Sequence, residues 1–156
     1  NGERTPHRDP FARGAYFGIS LRHERKHMVR ALMEGVVFGL KDSLDIVAEQ
    51  GISVTEIRAA GGGGKSAFWR QMQADVFGVP VLTLKHDEGP ALGAALLAGT
   101  GAGVYPDIVS ASNSVVRVES ALEPRPEMTA LYAAAHERYR ALYPAVRDLF
   151  LKHEQP

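Results

Sequence analysis

Residues 57–84 read IRAAGGGGKSAFWRQMQADVFGVPVLTL, and this stretch decides the fold. Ile57 to Ala60 predicts a short strand that runs straight into Gly61, Gly62, Gly63 and Gly64. Ser66 to Phe77 follows with helical spacing, Phe68, Met72 and Val76 on one face, and Gly78 as its stop. Val79 to Leu84 reads as a second strand, with Pro80 near its start, where a missing N–H is tolerated. Strand, glycine loop, helix and strand make a βαβ unit. Its strands are expected to be parallel with a right-handed crossover.

The glycines carry the chemistry of this stretch. A tight strand-to-helix turn needs one or two glycines, and this one has four. Such a run lets backbone N–H groups approach an anion or a flat ring with no side chain between. The helix that follows favours negative charge at its N-terminus, and Ser66 can cap it or donate to a ligand. The reading is therefore a nucleotide-facing loop, with Gly63 expected at positive φ. Gly64-Lys65-Ser66 also mimics the end of a P-loop, but the full motif needs glycine at position 59, where this chain has Ala59. Its acidic partner strand is missing too: Val79 to Leu84 is followed by Lys85 and His86 before Asp87 and Glu88. A P-loop NTPase is the weaker alternative.

Working outward, apolar Val29, Leu32, Val36, Leu40, Leu44 and Val47 recur at three- and four-residue steps. They predict an amphipathic helix over about 27–50, ended by Gly51. Gly35 and Gly39 share a face and read as close-packing points. Residues 89–99, GPALGAALLAG, are small and apolar nearly all round, the signature of a buried helix. Gly99, Gly101 and Gly103 are expected to break it. They imitate a dinucleotide fingerprint, but Val104 stands where its third glycine belongs. Residues 106–126 read as irregular, with one strand over Val115 to Val118. Pro126 opens a last helix to about Leu151, its stripe formed by Met128, Leu131, Ala135, Tyr139, Leu142, Val146 and Leu149; Pro144 is expected to kink or split it. At the other end, residues 1–13 read as a polar loop and Ala15 to Ile19 as a strand or the approach to one. Trp69 reads as core or interface.

Composition narrows the classes. The chain has 156 residues, 18 Lys plus Arg against 18 Asp plus Glu, and no Cys. Zero net charge argues against nucleic acid as a partner. No apolar run approaches membrane-spanning length, so no membrane partner is expected. Without cysteine there is no disulfide, thiolate metal site or cysteine nucleophile, which fits a cytoplasmic setting. The chain opens on Asn1 rather than Met, as a piece of something longer would. His23-Glu24-Arg25-Lys26-His27 matches H-E-x-x-H. Arg22, Arg25 and Lys26 oppose a dication, however, and no third ligand stands at a motif spacing. The segment reads as a solvated entry to the first helix, and no metal is expected there.

Five motifs stand in order: GERTPH at 2–7, ARGAYFGIS at 12–20, RALMEGVVFGL at 30–40, GGGGKSAFWRQMQADVFGVPV at 61–81 and GPALGAALLAG at 89–99. In that order and spacing the chain resembles the C-terminal half of xylulokinases, in the FGGY family of carbohydrate kinases. The resemblance covers most of residues 1–105 and continues more loosely through the final helix. It implies an α/β fold: part of the C-terminal actin-like (ribonuclease H-like) ATPase domain, a βαβ core with flanking helices and a sheet incomplete in this chain. It makes residues 1–156 a partial C-terminal kinase domain. It implies ATP with Mg2+, a small sugar such as D-xylulose held between two domains, an N-terminal kinase domain as partner, and room for a homodimer. By position, Gly61, Gly62, Gly63, Gly64 and Ser66 are the nucleotide-binding residues, with Gly62 and Gly63 against phosphate or ribose and Ser66 near the adenine. Gly64 stands where the family commonly has Ala, which is expected to loosen the loop. The family's catalytic Asp has no match among this chain's Asp residues, so the segment alone is expected to be inactive. A free-standing nucleotide-binding or interaction module of the same fold is the alternative.

Overall fold

The computed structural model describes residues 2–85 and 89–152, the side chains of Leu151 and Lys152 excepted. His86, Asp87 and Glu88, and with them the acidic residues considered for a P-loop partner, lie outside the described residues. The described chain forms two units: Asn1–Val54 with Asp75–Gly78 and Pro124–Pro156, and Thr55–Ala74 with Val79–Glu123.

The first unit is built on two long helices, α1 (Arg25–Glu49) and α6 (Pro126–Lys152). α1 starts where His27 turns its ring back, so that Nδ1 accepts the Glu24 backbone N–H at 2.9 Å. It ends as the sequence predicts, with Gly51 at φ +78°. There the Gly51 and Ile52 amides donate to the Ala48 and Val47 carbonyls, closing the last turn. The buried residues of α1 are Val37, Phe38 and Asp42. Phe38 packs against Tyr132, His136 and Tyr139 of α6, with ring centroids 6.1, 5.5 and 5.4 Å away. This corrects the stripe read from the sequence: Val29, Leu32, Val36 and Leu40 are exposed. The helix is apolar on more than one face, and α6 covers a different one. Of the two close-packing glycines, only Gly39 meets a neighbour, the Tyr139 hydroxyl, which would lie 3.7 Å from an added Cβ. α6 runs through Pro144 as one element, so the predicted split does not occur. Its buried residues are Tyr132 and His136, which the apolar stripe left out, while Leu131 and Leu149 are exposed.

Polar side chains tie this unit together across long sequence separations. Arg30 donates to the Tyr132 hydroxyl, which donates to Glu34 at 3.1 Å. His136 Nε2 lies 2.9 Å from buried Asp42. Asp75, fully buried, accepts the Arg125 backbone N–H at 2.9 Å and the Arg125 guanidinium as well. It thereby holds the residue before Pro126, where α6 begins. The polar N-terminal loop is also held. Tyr143 donates to Asp9 at 2.8 Å, and its ring stacks on His7 with centroids 3.6 Å apart. Residues 15–19, read as a strand or its approach, are not one. Tyr16, Phe17 and Ile19 are exposed.

The second unit holds a three-stranded sheet in the order β1 (Ile57–Ala59), β2 (Val81–Leu84), β3 (Val118–Leu122). β1 and β2 are parallel, Ile57 opposite Val81 and Ala59 opposite Thr83, as the βαβ reading requires. β2 begins one residue after Pro80, whose carbonyl accepts the Ile57 amide at 2.9 Å. β3 is antiparallel to β2, and a register shift falls between Thr83 and Leu84. It lies three residues beyond the strand predicted at Val115 to Val118. Those residues are preceded by a helix that the sequence reading missed, α5 (Ile108–Val115). Its signal was present: Asp107 accepts the Ser110 amide at 2.7 Å as an N-cap. α4 (Gly89–Gly101) is longer than predicted and only Leu96 is buried on it. An all-round apolar helix needs neighbours on all sides, and the described residues cover one. Gly99 and Gly101 lie within it. Gly103, at φ +77°, ends it, as Val104 and Gly103 donate to the Gly99 and Thr100 carbonyls.

Candidate functional site

The site grows out of the end of β1. Ala60 stays extended at φ −125° and ψ 165°, and the chain then coils at once. Gly61–Gly64 is a four-residue helical turn, α2, rather than the open loop expected from four glycines. The turn closes tightly: the Lys65 amide donates to Gly62 at 3.3 Å and the Ser66 amide to Gly63 at 3.2 Å. Ser66 then caps α3 (Ala67–Phe77), its Oγ accepting the Trp69 amide at 3.3 Å. A short strand thus delivers two successive helix starts within eight residues.

Each glycine has its own place. Gly61 alone of the four has positive φ, +72°, so only there does the backbone require glycine for its conformation. The expectation of positive φ at Gly63 is corrected, because Gly63 is already inside the helical turn. Gly61, Gly62 and Gly63 are exposed. Among the described residues, a Cβ added at Gly62 would meet nothing within 4 Å. Gly64 is buried, and a Cβ there would stand 3.2 Å from the Ala59 carbonyl carbon and oxygen. It fits the turn to the strand instead of loosening it. The turn therefore has an open side at Gly62 and a packed side at Gly64.

The flanking side chains follow the same division. Lys65 caps α2 and is exposed. Met72 and Val76 of α3 are buried as predicted, whereas Phe68 is half exposed at 52%. Trp69 is half-buried, with indole Nε1 3.5 Å from where a Gly63 Cβ would stand. Sequence reasoning took it as core or interface. Its position at the third residue of α3 explains the contact, since helical side chains lean toward the N-terminus. Arg70 donates to Ser120 Oγ at 3.0 Å, and that hydroxyl lies 2.7 Å from Thr83 Oγ1.

The turn suits a nucleotide better than a metal. It presents backbone amides at a helix start, an open backbone face and one hydroxyl, the equipment for phosphate and ribose oxygens. Residues 61–66 include no carboxylate, so the turn itself holds no ligand for Mg2+. His23 and His27 lie at the entry to α1, their Nδ1 atoms accepting the Ser20 and Glu24 amides at 2.9 Å each. The metal-compatible cluster among the described residues is elsewhere, at Asp42, Asp45 and His136. There Lys41 pairs with Asp45, and Arg140 lies 3.7 Å from Asp42, which makes it an internal ion network.

Residues 1–102 match the model of the FGGY family of carbohydrate kinases, C-terminal domain. This chain belongs to that family. It is 41% identical over 148 residues to the xylulose kinase of Staphylococcus epidermidis, covering 95% of this chain and 30% of the relative. The ligand-bound xylulose kinase of Lactobacillus acidophilus superposes with a TM-score of 0.90 at 29% identity, over 97% of this chain and 31% of that one. Plasmodium falciparum glycerol kinase with ADP matches at a TM-score of 0.71 and 27% identity, over 88% of this chain and 29% of that one. The chain thus spans under a third of the length of the relatives it matches. Membership in this family places the fold among the actin-like sugar kinases and replaces the P-loop reading of Gly64-Lys65-Ser66. Among the described residues no helix is long and apolar enough to cross a membrane.

Proposed function

We propose that this chain is part of the nucleotide-binding half of an ATP-dependent sugar kinase, with D-xylulose converted to D-xylulose 5-phosphate. The observation that carries the reading is the exposed glycine turn, with open backbone at Gly62, in a chain of this family. Gly61, Gly62 and Gly63 line the nucleotide with backbone, and Ser66 reaches it with the hydroxyl hydrogen that capping leaves unused. Gly64 acts from beneath by seating the turn on Ala59. In the reaction the bond from the γ-phosphorus to the β–γ bridging oxygen breaks, and a bond forms to a sugar hydroxyl oxygen. The hydroxyl proton passes to a base, a role for which this chain supplies no Asp at the family's position. Mg2+ comes with the ATP phosphates and neutralises developing charge. The remaining partners are an N-terminal kinase domain and, between whole molecules, a homodimer, in the cytoplasm.

The test is made on the full-length protein carrying this chain. With D-xylulose, ATP and Mg2+ it should release ADP in a coupled assay, and residues 1–156 alone should not. Gly62→Val should weaken ATP binding by roughly 2 kcal/mol, the scale of a blocked buried contact, and leave sugar binding intact. Lys65→Ala should be milder, since Lys65 caps α2 and faces solvent. Loss of ATP binding in Lys65→Ala with none in Gly62→Val would overturn the assignment of this turn.

A further inference from the structure

We propose that Trp69 is a nucleotide-contacting residue, its indole Nε1–H donating a hydrogen bond to an oxygen of the nucleotide held at the glycine turn. The inference rests on the reading of that turn given above. Its first support is orientation. Of the ring atoms, Nε1 at 3.5 Å and Cδ1 at 3.7 Å come nearest to the position of a Gly63 Cβ. The N–H edge of the indole, not its benzene edge, therefore faces the turn. The second support is an unspent donor. The side-chain N–H of Trp69 has no hydrogen-bond partner among the described residues, while its backbone amide donates to Ser66 Oγ.

The indole N–H can only donate, and it is not among the sealed, unpartnered atoms, so an oxygen from outside the protein can reach it. Among the described residues none supplies an acceptor. Ser66 Oγ already accepts the Trp69 amide, and the Gly63 carbonyl already accepts the Ser66 amide. A nucleotide on the Gly61–Gly63 side brings phosphate and ribose oxygens, which are acceptors. The same ring edge closes the turn on the side of Gly63, where an added Cβ meets Nε1 and Cδ1, while one at Gly62 meets nothing among the described residues. The motif thus extends from five residues to a sixth, three positions beyond Ser66.

Calorimetric titration of the full-length protein with ADP, with adenosine and with the sugar tests this. Trp69→Phe keeps a ring and removes the donor. ADP binding should weaken about tenfold, the scale of a lost hydrogen bond to a charged acceptor, with sugar binding unchanged. A phosphate acceptor leaves adenosine binding as in the wild type, and a ribose acceptor weakens both ligands alike. A second readout needs no variant to fold: in protein labelled with 15N-indole tryptophan, an indole N–H resonance should move downfield on adding ADP. Wild-type ADP affinity in Trp69→Phe, or no indole resonance responding to ADP, overturns the proposal and leaves the glycine turn as the nucleotide site. No ADP binding by the wild-type protein overturns both.

Discussion

The glycine turn and the surroundings of α6 hold their shape by opposite means. Between Gly62 and Trp69 the turn is held by local hydrogen bonds, from Lys65 to Gly62, Ser66 to Gly63 and Trp69 to Ser66. Around α6 the contacts are made by side chains 50 to 134 residues apart: Asp75 with Arg125, Arg30 with Tyr132, Asp42 with His136, Asp9 with Tyr143. A turn proposed to receive a nucleotide gains from having no side chains in the way. A scaffold gains from buried polar pairs that are satisfied in one arrangement only. The contrast predicts which substitutions damage folding and which damage binding.

The largest expected loss is at Asp75. Asp75→Ala removes a fully buried carboxylate that accepts both the backbone and the guanidinium of Arg125. It should cost about 3 kcal/mol, since hydrogen bonds to charged groups are the strong ones and Arg125 itself can turn to water. The shift in urea midpoint measures it, and an unchanged midpoint would break the claim that α6 is held by such pairs. Next comes Gly64→Val, about 2 kcal/mol, because the Ala59 backbone it meets is fixed by pairing with Thr83. Gly62→Val by contrast should leave the midpoint within about 0.5 kcal/mol of wild type, as an exposed site allows. Equal stability losses at the two glycines would erase the distinction between the packed and open sides of the turn.

Smaller effects sharpen the scaffold half. Tyr132→Phe deletes the hydroxyl between Arg30 and Glu34 and should cost about 1 kcal/mol. The last prediction concerns pH. The Tyr143 hydroxyl and then the Phe11 amide hold the Asp9 carboxyl below its ordinary value of 3.8. A carboxylate depressed in the folded state contributes stability that is present above the unfolded value and lost as pH falls through the folded one. Tyr143→Phe removes the larger cause. The stability gap between wild type and variant, read from urea midpoints, should therefore be widest near neutral pH and shrink below pH 3.8. A gap constant down to pH 2.5 would mean that Tyr143 supports the loop by stacking on His7 and not through Asp9.

Legibility divides along the same line as the two regions. Strand, glycine run, helix and strand over residues 57–84 could be read from spacing and punctuation, because their geometry is fixed by contacts among near neighbours. The same holds for the ends of α1 and α4, where Gly51 and Gly103 supply the left-handed residue that closes a helix. The α5 helix went unread although Asp107 marked its start, since only a short run of weak helix formers follows.

Other features were decided only by the tertiary structure. An apolar stripe shows that a helix has a side to bury, but α1 has more than one, and the partner selects which. The sequence favoured Val29, Leu32, Val36 and Leu40; packing on α6 chose Val37, Phe38 and Asp42. Likewise Tyr132 and His136 became core once Arg30, Glu34 and Asp42 came within reach to satisfy them. In the turn itself, residue type identified four glycines as a group. Only the fold separated Gly61, needed for its φ, from Gly64, needed for its contact with Ala59, because a glycine's reason for being glycine lies in what surrounds it.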